Sequence, residues 1–86
     1  MTYRIEIDRG AEKVLKSLDR PIRVRIEAAI DGLRTEPRPS GCTKLTGHGG
    51  WRIRIGTYRV LYEIMNQVLV VRVVKVDHRR DIYRRL

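Results

Sequence analysis

Residues 51–62, Trp-Arg-Ile-Arg-Ile-Gly-Thr-Tyr-Arg-Val-Leu-Tyr, form the stretch that most constrains the fold. The alternation puts Trp51, Ile53 and Ile55 on one face and Arg52 and Arg54 on the other. Gly56-Thr57 suits a two-residue hairpin turn of the kind that begins with glycine. With those two residues as the loop, Ile55 opposes Tyr58, Arg54 opposes Arg59, Ile53 opposes Val60 and Arg52 opposes Leu61. One face of the hairpin is then wholly apolar or aromatic, and the other carries Arg52, Arg54 and Arg59. Like charges directly opposite on a sheet are unfavourable by up to roughly 1 kcal/mol. A chain that places Arg54 against Arg59 is suited to meeting a polyanion there.

Charge supports that expectation. Nineteen Lys and Arg against ten Asp and Glu leave +9 over 86 residues. The excess is uneven: residues 1–50 carry ten basic and seven acidic side chains, and residues 51–86 carry nine and three. A skewed, arginine-rich surface points to nucleic acid, since the guanidinium fork matches phosphate oxygens. The length and ordinary hydrophobic content predict one folded domain, 1–86. Cys42 is the only cysteine, so there is no disulfide framework and no metal-spaced Cys/His cluster; this fits a reducing cytoplasm. No apolar run is long enough to span a membrane, and the N-terminus lacks an apolar signal core.

Tyr3 to Ile7 alternates and predicts a first strand. Asp8 is the expected cap of a helix that carries Ala11, Val14, Leu15 and Leu18 on one stripe. Asp19 and Pro21 start a second helix with Ile22, Ile26, Ala29, Ile30 and Leu33 inward, and Pro37 and Pro39 end it. A Pro/Gly/Ser/Thr-rich loop follows, with Leu45 as its anchor. Strands are then expected near 51–56, 58–65 and 68–76, with Asn66-Gln67 as the second turn. That turn would set Leu61 opposite Arg72 and Arg59 opposite Val74. Leu69, Val71 and Val73 would join the apolar face, while Val68, Val70, Val74 and Val76 would lie on the arginine face. The predicted fold is α+β: a two-helix hairpin packed on one face of a small antiparallel sheet, in the order β-α-α-β-β-β, with the first strand at an edge.

The open face predicts the chemistry. Arg52, Arg54, Arg59 and Arg72 lie on it, and His78, Arg79, Arg80 and Tyr83 follow the last strand. Arginines can stabilise the extra negative charge of a pentacovalent phosphate. A ribose 2′-hydroxyl beside that phosphate can be the nucleophile, so no protein nucleophile is required. Histidine is the side chain whose ordinary charge change falls nearest neutral pH, which makes His78 a candidate for proton transfer. Tyr83 could stack on a base or donate a proton. Tyr58, Tyr62 and Trp51 read as core. His48, among glycines, reads as a loop residue. The paired carboxylates of a metal-dependent nuclease are missing, and Glu63 is expected to offset local charge.

Three segments together resemble the RelE/ParE superfamily of bacterial toxins, on the RelE side: Thr43-Lys-Leu-Thr-Gly47, Trp51 through Tyr62, and Val76-Asp-His-Arg-Arg-Asp-Ile-Tyr83. The similarity in element order runs along the whole chain. It implies the toxin of a type II toxin–antitoxin module: a ribosome-dependent mRNA interferase that cuts the A-site codon without metal or other cofactor. It also implies a cognate antitoxin, contacts to ribosome, mRNA and 16S rRNA, and operator DNA bound only through the toxin–antitoxin complex. Carried over onto this chain, Arg52 and Arg54 match the basic pair of the family's second strand. Arg59 matches the arginine after the turn, Arg79 the arginine after the last strand, and Tyr83 the C-terminal tyrosine. His78 stands where relatives often have His or Lys. Lys44, Arg72 and Arg80 are the expected further RNA contacts.

Some relatives carry Lys in the strand pair, and there a Lys serves as general base. Arginine holds its proton too tightly for that role, so Arg52 and Arg54 are expected to stabilise charge. The base is left between His78, Tyr83 and the ribosome. The alternative function within the superfamily is ParE-like, non-enzymatic inhibition of DNA gyrase, and a plain RNA-binding protein is a third reading.

Overall fold

The computed structural model describes residues 2–47 and 49–78. The elements are β1 (Arg4–Ile7), α1 (Arg9–Ser17), α2 (Arg20–Gly32), β2 (Thr43–Lys44), β3 (Trp51–Ile55), β4 (Tyr58–Met65) and β5 (Val70–His78). Among the described residues they make one five-stranded sheet in the order β1-β5-β4-β3-β2. The expected α+β arrangement is present, with two corrections. The sheet is mixed, because β1 runs parallel to β5. The 38–50 loop also contributes the two-residue β2, antiparallel to β3.

Each helix begins where its sequence stops competing with it. Asp8 and Asp19 take extended backbone at the two N-caps, and Pro21 occupies the first turn of α2, where a missing N–H costs nothing. Neither aspartate makes a side-chain cap hydrogen bond. Ala11 and Leu15 of α1, and Ile26 and Ile30 of α2, are buried, with Leu33 just beyond. They meet Ile53, Ile55, Val60, Tyr62, Val71, Val73 and Val76 from the sheet. Tyr62 is completely buried, and its hydroxyl donates to the Pro37 carbonyl at 2.8 Å, which ties the post-α2 loop to the core. Burial, followed by the neighbouring Cys42, pushes the Tyr62 phenol above its ordinary value of 10.0. Leu45 is half-buried, and its N–H donates to the Gly50 carbonyl.

The β3–β4 register is the expected one, from Trp51 opposite Tyr62 to Ile55 opposite Tyr58. Gly56 has φ of 61° and Thr57 is not left-handed, so only the first turn position needs glycine. The β4–β5 connection differs from expectation. Met65 pairs with Val70, so the loop is residues 66–69 rather than Asn66-Gln67 alone. Contacts from the N-terminus hold it open: the Tyr3 hydroxyl donates to Asn66 Oδ1, and the Arg4 N–H donates to the Leu69 carbonyl. Leu69 lies in the loop with φ of 53°, not on a strand face.

A second difference lies further along the ladder. Tyr62 opposes Val73 but Leu61 opposes Lys75, so Val74 is an extra residue on β5 and a bulge separates two registers. Beyond it Val60 opposes Val76, Arg59 opposes Asp77 and Tyr58 opposes His78. Val76 therefore points into the core at 1 % exposure and does not lie on the arginine face. Val70 is likewise buried, Val74 is half-buried, and Val68 is exposed in the loop.

Candidate nucleic-acid interface

The sheet face opposite the core carries the charged residues, and the bulge divides it into two electrostatically different halves. Towards the β3–β4 turn stand Arg52 and Arg54 of β3, Arg59 of β4, and Lys75 and Asp77 of β5. Arg54 and Arg59 are directly opposed, as expected. Arg54 is exposed and Arg52 half-buried, whereas Arg59 is only 9 % exposed. Asp77 faces Arg59 from the other side and is only 8 % exposed. Lys75 Nζ lies 3.2 Å from Asp77 Oδ2. Across the sheet the row reads Arg54, Arg59, Asp77, so a carboxylate offsets part of the repulsion between the two arginines.

Arg54, Gly56, Thr57, Tyr58 and Arg59 line a small cleft at the turn. Arg25 of α2 also reaches this turn: its Nη1 lies 3.8 Å from where a Cβ on Gly56 would sit. The tip of the hairpin thus gathers arginines from a helix and two strands. Closely spaced guanidinium groups with an open approach are suited to phosphate oxygens.

The other half of the face is charge-balanced. Arg72 is flanked in register by Glu6 of β1 and Glu63 of β4. Its Nε donates to Asp8 Oδ1 at 2.8 Å. That hydrogen bond, and then the Asp8 charge, raise the Arg72 guanidinium above its ordinary value. Arg4 pairs with Glu6 at 3.1 Å. Arg72 was expected opposite Leu61, as part of the basic cluster. The longer 66–69 loop sets it against Glu63 instead, and its charge is answered by carboxylates.

Two further expected residues lie away from the arginine half. Lys44 opposes Trp51, on the opposite side of the sheet from Arg52. Its Nζ is 6.0 Å from the Trp51 ring centroid, and the Arg38 guanidinium lies 5.1 Å from the same ring. His78 is brought beside the start of β4, as expected, but it opposes Tyr58 and so shares the Tyr58 face. The two rings meet edge-on at 4.9 Å, and His78 Nε2 is 3.1 Å from Thr57 Oγ1. Arg79, Arg80 and Tyr83 lie outside the described residues, as does His48.

Asp77 and Arg25 were missed from sequence. A signal for Asp77 was present: Arg72 and Lys75 are three apart, as are Val73 and Val76, which a strand can accommodate only with one extra residue. Arg25 had no such signal, because only tertiary packing sets α2 beside the turn.

Comparison with known proteins bears on the same architecture. Residues 5–83 match the family described as ParE toxin of type II toxin–antitoxin system, parDE. The chain is 36 % identical to Toxin RelG of Mycobacterium tuberculosis over 87 residues, covering 99 % of this chain and 100 % of the relative. The toxin in the crystal structure of the archaeal RelE–RelB complex from Pyrococcus horikoshii superposes with a TM-score of 0.83 at 34 % identity, over 92 % of this chain and 97 % of that one. The Mycobacterium tuberculosis toxin–antitoxin complex RelBE2 gives 0.81 at 29 % identity, over 92 % and 93 %. With its fold, its arginine-bearing hairpin and these relatives in agreement, the chain belongs to the RelE/ParE family of type II toxin–antitoxin toxins.

Proposed function

We propose that this toxin is an endoribonuclease that cuts mRNA in the ribosomal A site and so stops translation. The observation that carries the reading is the segregation of charge on one sheet face. Arg52, Arg54 and Arg59 converge at the β3–β4 turn, while Arg72 is answered by carboxylates elsewhere. An A-site codon supplies both the polyanion and the nucleophile. Its 2′-hydroxyl oxygen attacks the adjacent phosphorus, the bond to the 5′-oxygen breaks, and a cyclic phosphate and a 5′-hydroxyl result. Arg52, Arg54 and Arg59 stabilise the added charge on the phosphoryl oxygens. Arg79 joins them, and Arg80 and Lys44 contact RNA away from the scissile bond. The reaction uses no metal. The ribosome aligns the 2′-hydroxyl, and positioning of that kind is worth about 7–11 kcal/mol.

Proton transfer is assigned to His78 or Tyr83 together with the ribosome. If His78 carries a proton, His78→Ala lowers the single-turnover rate by roughly 10²–10⁴-fold and His78→Gln does not restore it. A Gln variant of near wild-type rate assigns His78 to holding the turn through Thr57.

The antitoxin seen with the similar toxins supports a cognate partner here. A segment bearing carboxylates and apolar anchors would cover the arginine half of the sheet and neutralise the toxin. The complex would then repress its own operon from the cytoplasm.

Expression without a partner tests the reading. Pulse labelling should show protein synthesis falling before DNA synthesis, and primer extension should show cuts within translated messages. The match to the ParE family favours the second reading, inhibition of DNA gyrase. DNA synthesis falling first, with messages intact, would establish it.

A further inference from the structure

We infer that Trp51, with Arg38 and Lys44, is a second RNA contact of this toxin, a platform on which one unpaired nucleobase stacks while the two cations take the phosphate of the same nucleotide; the inference rests on the reading of RNA as the toxin's substrate. Trp51 packs against the core yet is only half-buried. The Arg38 guanidinium lies 5.1 Å and Lys44 Nζ 6.0 Å from its ring centroid, and both of these residues are exposed. An aromatic face stacks any base, and cations beside it neutralise the backbone. Unpaired bases are what single-stranded RNA offers to such a face.

The backbone holds the two cations in place from separate anchors. Pro37 is buried and its carbonyl accepts from the Tyr62 hydroxyl at 2.8 Å, which fixes the chain immediately before Arg38. Lys44 opposes Trp51 in the β2–β3 ladder, and the next residue, Leu45, donates its N–H to the Gly50 carbonyl at 2.8 Å. Among the described residues neither side chain forms an ion pair. Glu36 Oε1 accepts from the Arg38 main-chain N–H at 3.2 Å, while the guanidinium lies over the indole. Arg72 differs, since its charge is answered by Asp8. Trp51 stands at the opposite end of β3 from the Gly56 turn, on the other side of the sheet from Arg52. At about 3.3 Å per strand residue, its Cα is about 10 Å from that of Arg54. The platform is thus separate from the arginine cluster and holds RNA away from the bond that is cut.

The test uses the full-length toxin, released from its antitoxin, and a short single-stranded RNA made uncleavable by 2′-O-methyl groups. Trp51 is the chain's one tryptophan, so stacking is read directly as quenching of its fluorescence. Quenching should saturate together with binding, followed by the anisotropy of a labelled strand. A strand of equal length with abasic sugars should bind with little quenching. Trp51→Leu should weaken binding about tenfold, the scale of one lost base stack, and Trp51→Phe should keep most of it. Arg38→Gln and Lys44→Gln should each lower the salt slope of binding by about 0.7. Binding without quenching, equal quenching by the abasic strand, or a Trp51→Leu variant that binds as tightly as wild type would each overturn the assignment. A Trp51 emission change on adding antitoxin, with none on adding RNA, would also overturn it and give the ring to the protein partner. Quenching in the wild-type protein keeps the test decisive should Trp51→Leu not fold. Wild-type toxin whose tryptophan is quenched by RNA but which cuts no message would refute the cleavage reading and leave the platform standing.

Discussion

Arg72 Nε donates to Asp8 Oδ1 at 2.8 Å, joining residues 64 positions apart in the chain. Asp8 sits at the N-cap of α1, yet its carboxylate bonds β5 in preference to the helix N–H groups. An RNA phosphate would have to compete with the Asp8 carboxylate for the Arg72 guanidinium. Arg72→Ala should therefore leave ribosome binding and cleavage near wild type, while melting temperature falls slightly and the difference shrinks at high salt. Arg54→Ala should do the reverse, with melting temperature held and cleavage lost. Thermal melts at two salt concentrations beside single-turnover assays check both.

The β3–β4 turn rests on one glycine. Gly56 has φ of 61°, where a side chain is strained whatever space surrounds it. Gly56→Ala should destabilise the domain by about 1–3 kcal/mol. Gly10, in helical α1 with open space about its Cα, is the control. Gly10→Ala should be neutral or stabilising by about 0.5–1 kcal/mol. Urea midpoints at constant m-value make the comparison.

Tyr62 predicts an alkaline limit. Its folded-state phenol titrates above its unfolded value near 10.0, so the folded state binds the proton more tightly. Stability is then unaffected below pH 10 and falls as pH rises above it, when only the unfolded chain ionises this group. Ultraviolet titration should show one of the four tyrosines ionising together with unfolding. Tyr62→Phe should remove that linkage. It should also cost about 1–3 kcal/mol at neutral pH, since the Pro37 carbonyl loses its buried donor.

The bulge makes opposite predictions for two valines of one segment. Val76 is 1 % exposed and Val68 is 65 % exposed. Val76→Ala should lower stability by about 2–3 kcal/mol through lost burial and a residual cavity. Val68→Ala should stay within about 0.5 kcal/mol. Equal effects would mean that β5 does not shift register at Val74.

Local chemistry determined much of this molecule. Side-chain period in 51–62, with a glycine that a tight turn needs, sets the hairpin, its register and the Arg54–Arg59 opposition without reference to any other segment. The apolar stripes of α1 and α2, and Pro21, mark two helices in the same way, since each depends on neighbours within a few residues. Tertiary structure decided what depends on distant partners. Tyr3 and Arg4 hold the 66–69 loop and so fix where β5 begins. The competing demands of Val73 and Val76 for the core set the bulge at Val74, and that one-residue shift sets Asp77 opposite Arg59 and His78 opposite Tyr58 in the ladder. Asp8 leaves its helix for Arg72 because the parallel β1–β5 pairing brings them together. A two-residue period says which side chains share a face only while the ladder is unbroken; one inserted residue reverses every face beyond it, and only the packed core specifies where that residue goes.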